Sequence, residues 1–235
     1  MSEAVKFIIQ SALKRKKCFC ATPNVDHIVR LQKDSEFRSI YSRVDLVVAD
    51  GMPLLWSGLF LGTPFKEKVS GSDLFPKLCN AASKNDLKVF FMGGRKGAAD
   101  KAKEEIEKLY SGIQIVGTFC PPFGFEKDDI ENQKVIDSII AAKPDVLFVG
   151  LGSPKQEKWI DVNYVKINVP VCVGIGVTFE FFAGMVKRAP FWMQKVGLEW
   201  FWRFLMEPRR LWKRYFIDDL VFFWLIFKQK MGLLK

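Results

Sequence analysis

The sequence predicts the α/β fold class, with a parallel sheet flanked by helices and a helical C-terminal appendage. Short apolar strands alternate with helical segments along most of the chain, and this alternation is typical of parallel β/α architecture. The strands are apolar throughout, as expected of a sheet that is covered on both faces. The length of 235 residues suffices for one large domain with an appendage. We therefore expect a Rossmann-like domain over residues 1–190 and a helical appendage over residues 191–235.

The first half of the chain contains three predicted helices and two predicted strands. Apolar residues recur near the 3.6-residue period of a helix in the helical segments, whereas the strands are short apolar runs that end at turn or polar residues. Helices are expected over residues 2–15, 25–37 and 72–84. Strands are expected over residues 18–21 and 44–49. Either Ser72 or Asp73 is the expected N-cap of the third helix.

The second half of the chain continues the same alternation. Each apolar run of four or five residues is followed by a glycine or polar turn and then by a helical segment. Strands are expected over residues 89–92, 113–116, 146–149 and 171–175. Helices are expected over residues 98–110, 128–142 and 156–165.

Polar and glycine-rich segments follow the predicted strands, and ligands bind beyond the carboxyl ends of the strands in parallel sheets. These segments are Thr22-Pro23-Asn24, Asp50-Gly51, Gly93-Gly94-Arg95, residues 150–157 and residues 174–178. Asp50 interrupts two apolar stretches, and a buried unpaired carboxylate costs several kcal/mol or changes its pKa. Its position at the end of a strand indicates that it faces substrate and is not part of the core.

Two of these motifs, and the segment 64–74 that contains Lys68, have a functional and a structural interpretation. The glycines at Gly93 either allow a phosphate to approach the backbone or simply form a tight turn. Gly152, Lys155, Gln156 and Glu157 suit a sugar or nucleotide, but they also suit a solvated helix start. Lys68 is either a cation directed at a phosphate or part of a solvated loop. His27 is expected to form local hydrogen bonds, and no metal centre is expected.

The C-terminal segment differs chemically from the rest of the chain. Residues 184–235 hold eleven Lys and Arg against four Asp and Glu, so they carry +7 of the total net charge of +10, and they hold five of the seven Trp. A basic chain favours an acidic partner, such as a nucleic acid, an anionic membrane or a phosphorylated substrate. No segment is long and apolar enough to span a membrane. The odd number of five cysteines, without a C-x-x-C pair or zinc spacing, and the lack of a recognisable signal peptide favour a reducing cytoplasm.

Five motifs occur in order along the chain and together carry a resemblance to a known family. The motifs are TPNVDHIV (22–29), VADGMPLLW (48–56), KVSGSDL (68–74), GLGSPKQEKW (150–159) and VGIGVTFEFFAGMVKRAPFWMQKVGLEWFWRFLMEPRR (173–210). The chain resembles the WecG/TagA/CpsF family of bacterial glycosyltransferases from about residue 3 to about residue 215.

This resemblance implies an inverting transfer of a sugar from a UDP-sugar to a polyprenyl-diphosphate-linked acceptor, in cell-surface polysaccharide or teichoic acid synthesis. The donated sugar in the family is N-acetylmannosamine, its uronic acid or glucose, and no metal cofactor is needed. The resemblance places the catalytic base on Asp50 and further site residues on Thr22, Asn24 and Gln156. Many members have Arg at the position of Lys68, and Lys lacks the bidentate fork of Arg. Members usually carry an additional N-terminal strand, which we expect to be missing here or to lie upstream.

Within this framework the C-terminal segment is predicted to dock on the inner face of the cytoplasmic membrane as a peripheral element. Trp and Phe beside Lys and Arg are the composition of an interfacial helix. Arg203, Arg210 and Arg214 are expected to turn toward the acceptor diphosphate. Alternatively, the segment forms an interface of a homo-oligomer or a helix hairpin packed on the domain.

Two functions of other classes remain possible at this stage. A non-catalytic nucleotide-binding or assembly protein would use the same sheet edge without transferring a sugar. A basic nucleic-acid binder would explain the charge of the tail, but it gives no role to the polar residues at the sheet edge, so we expect no nucleic-acid partner.

Overall fold

The structure, a computed structural model, describes residues 1–233 with the exception of the Arg210 side chain. Within these residues the strands are β1 (Cys18–Ala21), β2 (Leu46–Val47), β3 (Lys88–Gly93), β4 (Gln114–Phe119), β5 (Val146–Gly150) and β6 (Val171–Gly174). They form one sheet in the spatial order β2-β1-β6-β5-β3-β4, and every neighbouring pair is parallel. The predicted α/β class with a parallel sheet is confirmed.

Helices cover both faces of the sheet and its carboxyl edge. Those before the C-terminal segment are α1 (Ser2–Leu13), α2 (Val25–Lys33), α3 (Ser35–Tyr41), α4 (Met52–Leu61), α5 (Gly71–Ser83), α6 (Ala98–Leu109), α7 (Asp129–Ala142), α8 (Lys155–Ile167) and α9 (Thr178–Phe182). Those of the C-terminal segment are α10 (Phe191–Lys195), α11 (Glu199–Met206), α12 (Pro208–Lys213) and α13 (Leu220–Lys230). A 3-10 turn covers Phe125–Lys127, and a π-helical turn covers Arg214–Asp218.

The core has one layer on each face of the sheet, which explains why the strands are apolar throughout. On one face Phe75 of α5 packs edge-to-face against Phe91 and Phe148, with ring centroids 5.1 and 4.9 Å apart. On the other face Phe90 and Leu147 pack in a second buried cluster. Burying an aromatic side chain removes a large apolar area from water, so these layers stabilise the sheet from both sides.

Three differences from the predicted boundaries have a local physical reason. The strand predicted over residues 44–49 is reduced to β2, which pairs with one neighbour only and leaves Val47 about half exposed. The helix predicted over residues 25–37 is divided because the Asp34 side chain accepts a hydrogen bond from the Phe37 backbone and caps α3. The N-cap of α5 is Ser70, whose Oγ accepts from the backbone N–H of Asp73.

The C-terminal helices pack on the sheet domain. Phe222 of α13 is buried in a cluster with Val29 of α2 and Leu54 of α4, and Leu211 of α12 is also buried. The segment therefore shares a core with the residues before 190, as in the alternative of a helix hairpin packed on the domain. This packing places α11–α13 over the carboxyl edge of the sheet.

Candidate active site

A cavity of about 450 Å³ lies between the carboxyl ends of the strands and the C-terminal helices. Seven predicted site residues line it: Thr22, Asn24, Asp50, Gly152, Gln156, Arg203 and Arg214. The segments after β1, β2, β5 and β6 therefore meet at one site, as parallel topology requires. The C-terminal helices supply the opposite wall.

Asp50 is partly exposed to this cavity at the end of β2. Its backbone N–H donates to the carbonyl of Pro23 at 2.8 Å, which ties the end of β2 to the loop after β1. Burial raises the pKa of Asp50 to about 6, and the negative charge of Glu199 adds to the rise, whereas Lys68, Arg203 and His27 act to lower it. A carboxyl group with this pKa is suited to accept a proton near neutral pH.

Lys68 takes part in a charged network beside Asp50. Its ammonium lies 3.6 Å from the Glu199 carboxylate, which also lies 3.4 Å from Arg188 Nε. Arg188 in turn pairs with Asp73 of α5 at 2.7 Å. Lys68 is mostly buried in this network, so the interpretation as a solvated loop is wrong.

The first turn of α5 also faces the cavity. Ser70, Gly71 and Ser72 line it. Backbone N–H groups at a helix N-terminus attract anions, because the first turn leaves them without intrahelical partners. A Cβ at Gly71 would lie 3.2 Å from the Ile175 backbone, so only a glycine fits there without displacing the loop after β6.

Gln156 is held from two sides at the floor of the cavity. Its Oε1 accepts from the backbone N–H of Gly176 at 2.9 Å, and its Nε2 donates to Glu157 Oε1 at 2.7 Å. A Cβ at Gly174 would lie 2.9 Å from the Gln156 amide, so glycine is needed for this approach. Nearby, Thr22 Oγ1 donates to the carbonyl of Gly174 at 3.1 Å. Both side chains are thus fixed before a ligand binds.

Glu157 lies beneath the cavity and not in its lining. It is fully buried, and its Oε1 lies 3.4 Å from Nε2 of the buried His27. The other ring nitrogen of His27 lies 2.9 Å from Asn24 Oδ1, which also accepts from Arg214 Nη2 at 3.3 Å. A chain of buried and partly buried polar contacts therefore connects Glu157 in the sheet domain with Arg214 in the C-terminal segment.

Like Lys68 and Glu157, the predicted site residues Gly93 and Lys155 do not line the cavity. A Cβ at Gly93 would lie 2.7 Å from the carbonyl oxygen of Gly150, so this glycine permits close packing of β3 on β5. Lys155 pairs with Glu126 at 2.7 Å and lies 4.2 Å above the ring of Phe123. Arg210 was also predicted to contact substrate, and its side chain is outside the described residues.

The sequence did not single out Glu199 or the aromatic residues near the entrance of the cavity. Glu199 begins α11 and is one of only four acidic residues in the basic segment 184–235, and this rarity could have marked it as a candidate site residue. Trp56, Phe216 and Phe223 also line the cavity. Their role depends on the packing of α4 against the C-terminal helices, which the sequence pattern did not reveal.

Neither a metal cluster nor a membrane span is found in the described part of the chain. Among residues 1–233, no group of three or more His, Cys, Asp and Glu side chains is placed to hold a metal ion. Within the same residues, no helix combines the length and the apolar character needed to cross a bilayer.

Comparison with known proteins agrees with the resemblance seen in the motifs. The family described as "Glycosyl transferase WecG/TagA/CpsF family" matches residues 1–235. An N-acetylglucosaminyldiphosphoundecaprenol N-acetyl-beta-D-mannosaminyltransferase of Bacillus spizizenii is 32% identical, over 86% of this chain and 76% of that protein. Proteins of the same description from Bacillus subtilis (31% identical, 77% and 68% covered) and Staphylococcus aureus strain MW2 (30%, 82% and 74%) are also similar.

We predict that Asp50→Asn stabilises the fold at neutral pH. The pKa of Asp50 is raised from its ordinary 3.8 to about 6, so the folded protein binds a proton more tightly than the unfolded chain does. Ionised Asp50 therefore costs stability, and this cost grows as the pH rises from about 4 to about 6 and is complete above that. The neutral amide avoids a cost of up to about 3 kcal/mol. Urea unfolding at pH 7.5 and pH 4 measures the effect.

The amide should raise the free energy of unfolding at pH 7.5 and should do so much less at pH 4. Asp137→Asn, on the outer face of α7, serves as the control because it is distant from the cavity. An equal effect of Asp50→Asn at both pH values would show that the ionised carboxylate is not a source of instability.

Proposed function

Because the chain belongs to the glycosyl transferase WecG/TagA/CpsF family, we propose that it transfers a sugar from a UDP-sugar to an acceptor carried on a polyprenyl diphosphate. The observation that carries the proposal is the placement of Asp50, with its raised pKa, in one cavity with Arg203 and Arg214. Three relatives described as N-acetylmannosaminyltransferases support N-acetylmannosamine as the sugar and diphosphate-linked N-acetylglucosamine as the acceptor.

In the proposed reaction Asp50 is the general base. Its carboxylate takes the proton of an acceptor hydroxyl while that oxygen forms a bond to the anomeric carbon of the donor sugar. The bond between this carbon and the β-phosphate oxygen breaks, and its electron pair leaves with UDP. A single displacement of this kind inverts the anomeric configuration. General-base help is typically worth 10²–10⁴-fold in rate.

The cations around the cavity fit the two diphosphates of the reaction. Lys68 and Arg203 lie close enough to Asp50 to lower its pKa, and Arg214 reaches the cavity from the π-helical turn. Together with the N-terminal turn of α5 they offer positive potential where the leaving UDP gains charge. Thr22 and Gln156, by analogy with the family motifs, hold the sugar, and their fixed side chains would reduce the entropy lost on binding.

We propose further that the enzyme is peripheral on the cytoplasmic face of the membrane. The support is the basic C-terminal segment, in which Trp192, Trp212 and Trp224 are exposed on its surface. Each basic residue near an anionic surface contributes on the order of 1 kcal/mol. A diphosphate on a lipid stays at the bilayer surface, so the enzyme has to meet its acceptor there.

The first prediction from the proposed function concerns the transfer reaction itself. Purified protein incubated with a panel of UDP-sugars and an N-acetylglucosaminyl diphosphate lipid should form a disaccharide lipid, detected by its mass. Asp50→Ala and Asp50→Asn should lower kcat by 10²–10⁴-fold because the acceptor proton loses its base. Full turnover by both variants would remove Asp50 from the chemistry. A larger effect on KM than on kcat would instead assign Asp50 to donor binding.

A second prediction uses the charges next to Asp50. The base works only when ionised, so kcat/KM should fall about tenfold per pH unit as the pH decreases below about 6, the pKa of Asp50. Glu199→Gln removes a charge that raises this pKa, and should move the acid limb to lower pH. Lys68→Met should move it to higher pH.

The matched control for this pH series is Glu131→Gln on α7, which removes an acidic charge far from the cavity and pairs only with Lys134 among the described ion pairs. Its pH profile should coincide with that of the unmodified protein. If Glu199→Gln and Lys68→Met moved the acid limb in the same direction, another group would be responsible for it.

A third prediction concerns metals. Because Lys68, Arg203 and Arg214 can neutralise the leaving diphosphate, we propose that transfer needs no divalent cation. Rates in excess EDTA should match those in Mg²⁺ or Mn²⁺ within about twofold. A loss of more than tenfold in EDTA, restored by one of these ions, would contradict the proposal.

A further inference from the structure

Helix α4 is apolar on all sides, although it lies at the surface. Its sequence MPLLWSGLFL contains no charged residue, and only Leu54 and Gly58 are buried. Leu59 and Phe60 are more than half exposed. A helix that is apolar all round normally lies in a protein core or in lipid. The exposed face of α4 is therefore suited to contact with an apolar group outside the described core.

Helix α13 lies beside α4 and extends the same surface. Phe222 of α13 and Leu54 of α4 share a buried cluster, which holds the two helices together. Near the other end of α13, the ammonium of Lys230 lies 5.5 Å from the ring centre of Phe60. The two helices thus form neighbouring walls, with a cation at their outer end.

The apolar surface continues into the active-site cavity. Four side chains line the cavity and are also 46–56% exposed; we call them the apolar mouth: Trp56, Phe216, Leu220 and Phe223. Away from the mouth the cavity is lined by polar groups such as Thr22 and Gln156. The cavity therefore has a polar interior, which includes the charged Arg203 and Arg214 of the C-terminal segment, and an apolar mouth.

We propose that the apolar mouth binds the first isoprene units of the acceptor's polyprenyl chain. This inference rests on the proposed function and assigns a separate part of the same site to the lipid. The sugar hydroxyl has to reach Asp50, and α4 begins two residues after Asp50. The ten residues of α4 span about 15 Å, so the helix leads from the base to the surface. The diphosphate lies between, near Arg203 and Arg214.

Chain-length dependence in solution tests this assignment without a membrane. Two N-acetylglucosaminyl diphosphate acceptors are compared, one with a single isoprene unit and one with three, below their critical micelle concentrations and without detergent or vesicles. Two more isoprene units bring ten carbon atoms, and burying even a few methylenes is favourable. The unmodified protein should therefore show at least tenfold higher kcat/KM with the longer acceptor.

Leu220→Ser/Phe223→Ser should reduce this ratio to within twofold of one, because two of the four side chains of the mouth become polar. The control is Val162→Ser/Val165→Ser on α8, an exposed apolar pair (66% and 74% exposed) that does not line the cavity. It should keep the full ratio. If the α13 variant unfolds, as judged by circular dichroism, Trp56→Ser tests the same ratio from α4.

Two outcomes would overturn the inference. One is an unmodified protein that uses both acceptors equally in solution and prefers the longer one only when vesicles are added, because the apolar surface would then contact the bilayer alone. The other is a mouth variant that keeps the tenfold preference. Transfer to the single-isoprene acceptor tests the proposed function separately, and failure of that transfer with every UDP-sugar would count against the function.

Discussion

The active site depends on keeping one carboxylate ionisable inside a partly enclosed cavity. Burial and the charge of Glu199 raise the pKa of Asp50, and Lys68, Arg203 and His27 oppose them. Glu199 and Arg203 both belong to α11, so the C-terminal segment supplies one charge that raises the pKa of Asp50 and one that lowers it. A carboxylate at the mouth of a bare sheet would be solvated and weakly basic. The C-terminal segment therefore influences the proton affinity of Asp50, which we propose as the base, and also closes the cavity.

The contacts that hold the C-terminal segment on the sheet domain are partly polar and lie beneath the cavity. Glu157, fully buried, contacts Gln156 and His27, and the contacts continue through Asn24 to Arg214. Burying charged groups is costly unless their partners are well placed, so such a chain adds more to specificity of arrangement than to stability. This chain of contacts holds Gln156, which we assign to the sugar, and Arg214, which we assign to the diphosphate, in one connected set. A shift of either part is thus opposed by the other.

The sequence predicted the elements that depend on local periodicity and missed those that depend on packing. Strand β1 was predicted with its correct ends because its apolar run is bounded by turn residues. The predicted length of strand β2 was too great. The strand lies at the edge of the sheet and pairs with β1 through two residues only, although the apolar run is longer. At the site, Asp50 was found because a lone carboxylate between apolar runs is conspicuous. The effect of Glu199 on the pKa of Asp50 could not be predicted, since Glu199 comes close to Asp50 only after α11 folds over the sheet. Gly93 is needed for close packing against Gly150, but in the sequence it resembles a glycine of a phosphate-binding turn.

The short stretch from Asp50 to Leu61 now has one physical explanation. An enzyme that acts on a lipid-linked diphosphate must place a base in a polar cavity and present an apolar path to the same cavity. Gly51 adopts a positive φ of 114°, which turns the chain directly from the base into α4. Five residues separate Asp50 from Trp56, the α4 side chain of the apolar mouth, so the two requirements are met by nearby parts of one segment. Helix α13 covers one side of α4 and leaves the other exposed. The C-terminal segment thus contributes side chains to the apolar mouth that we assign to the lipid, as it also contributes charges that change the pKa of Asp50.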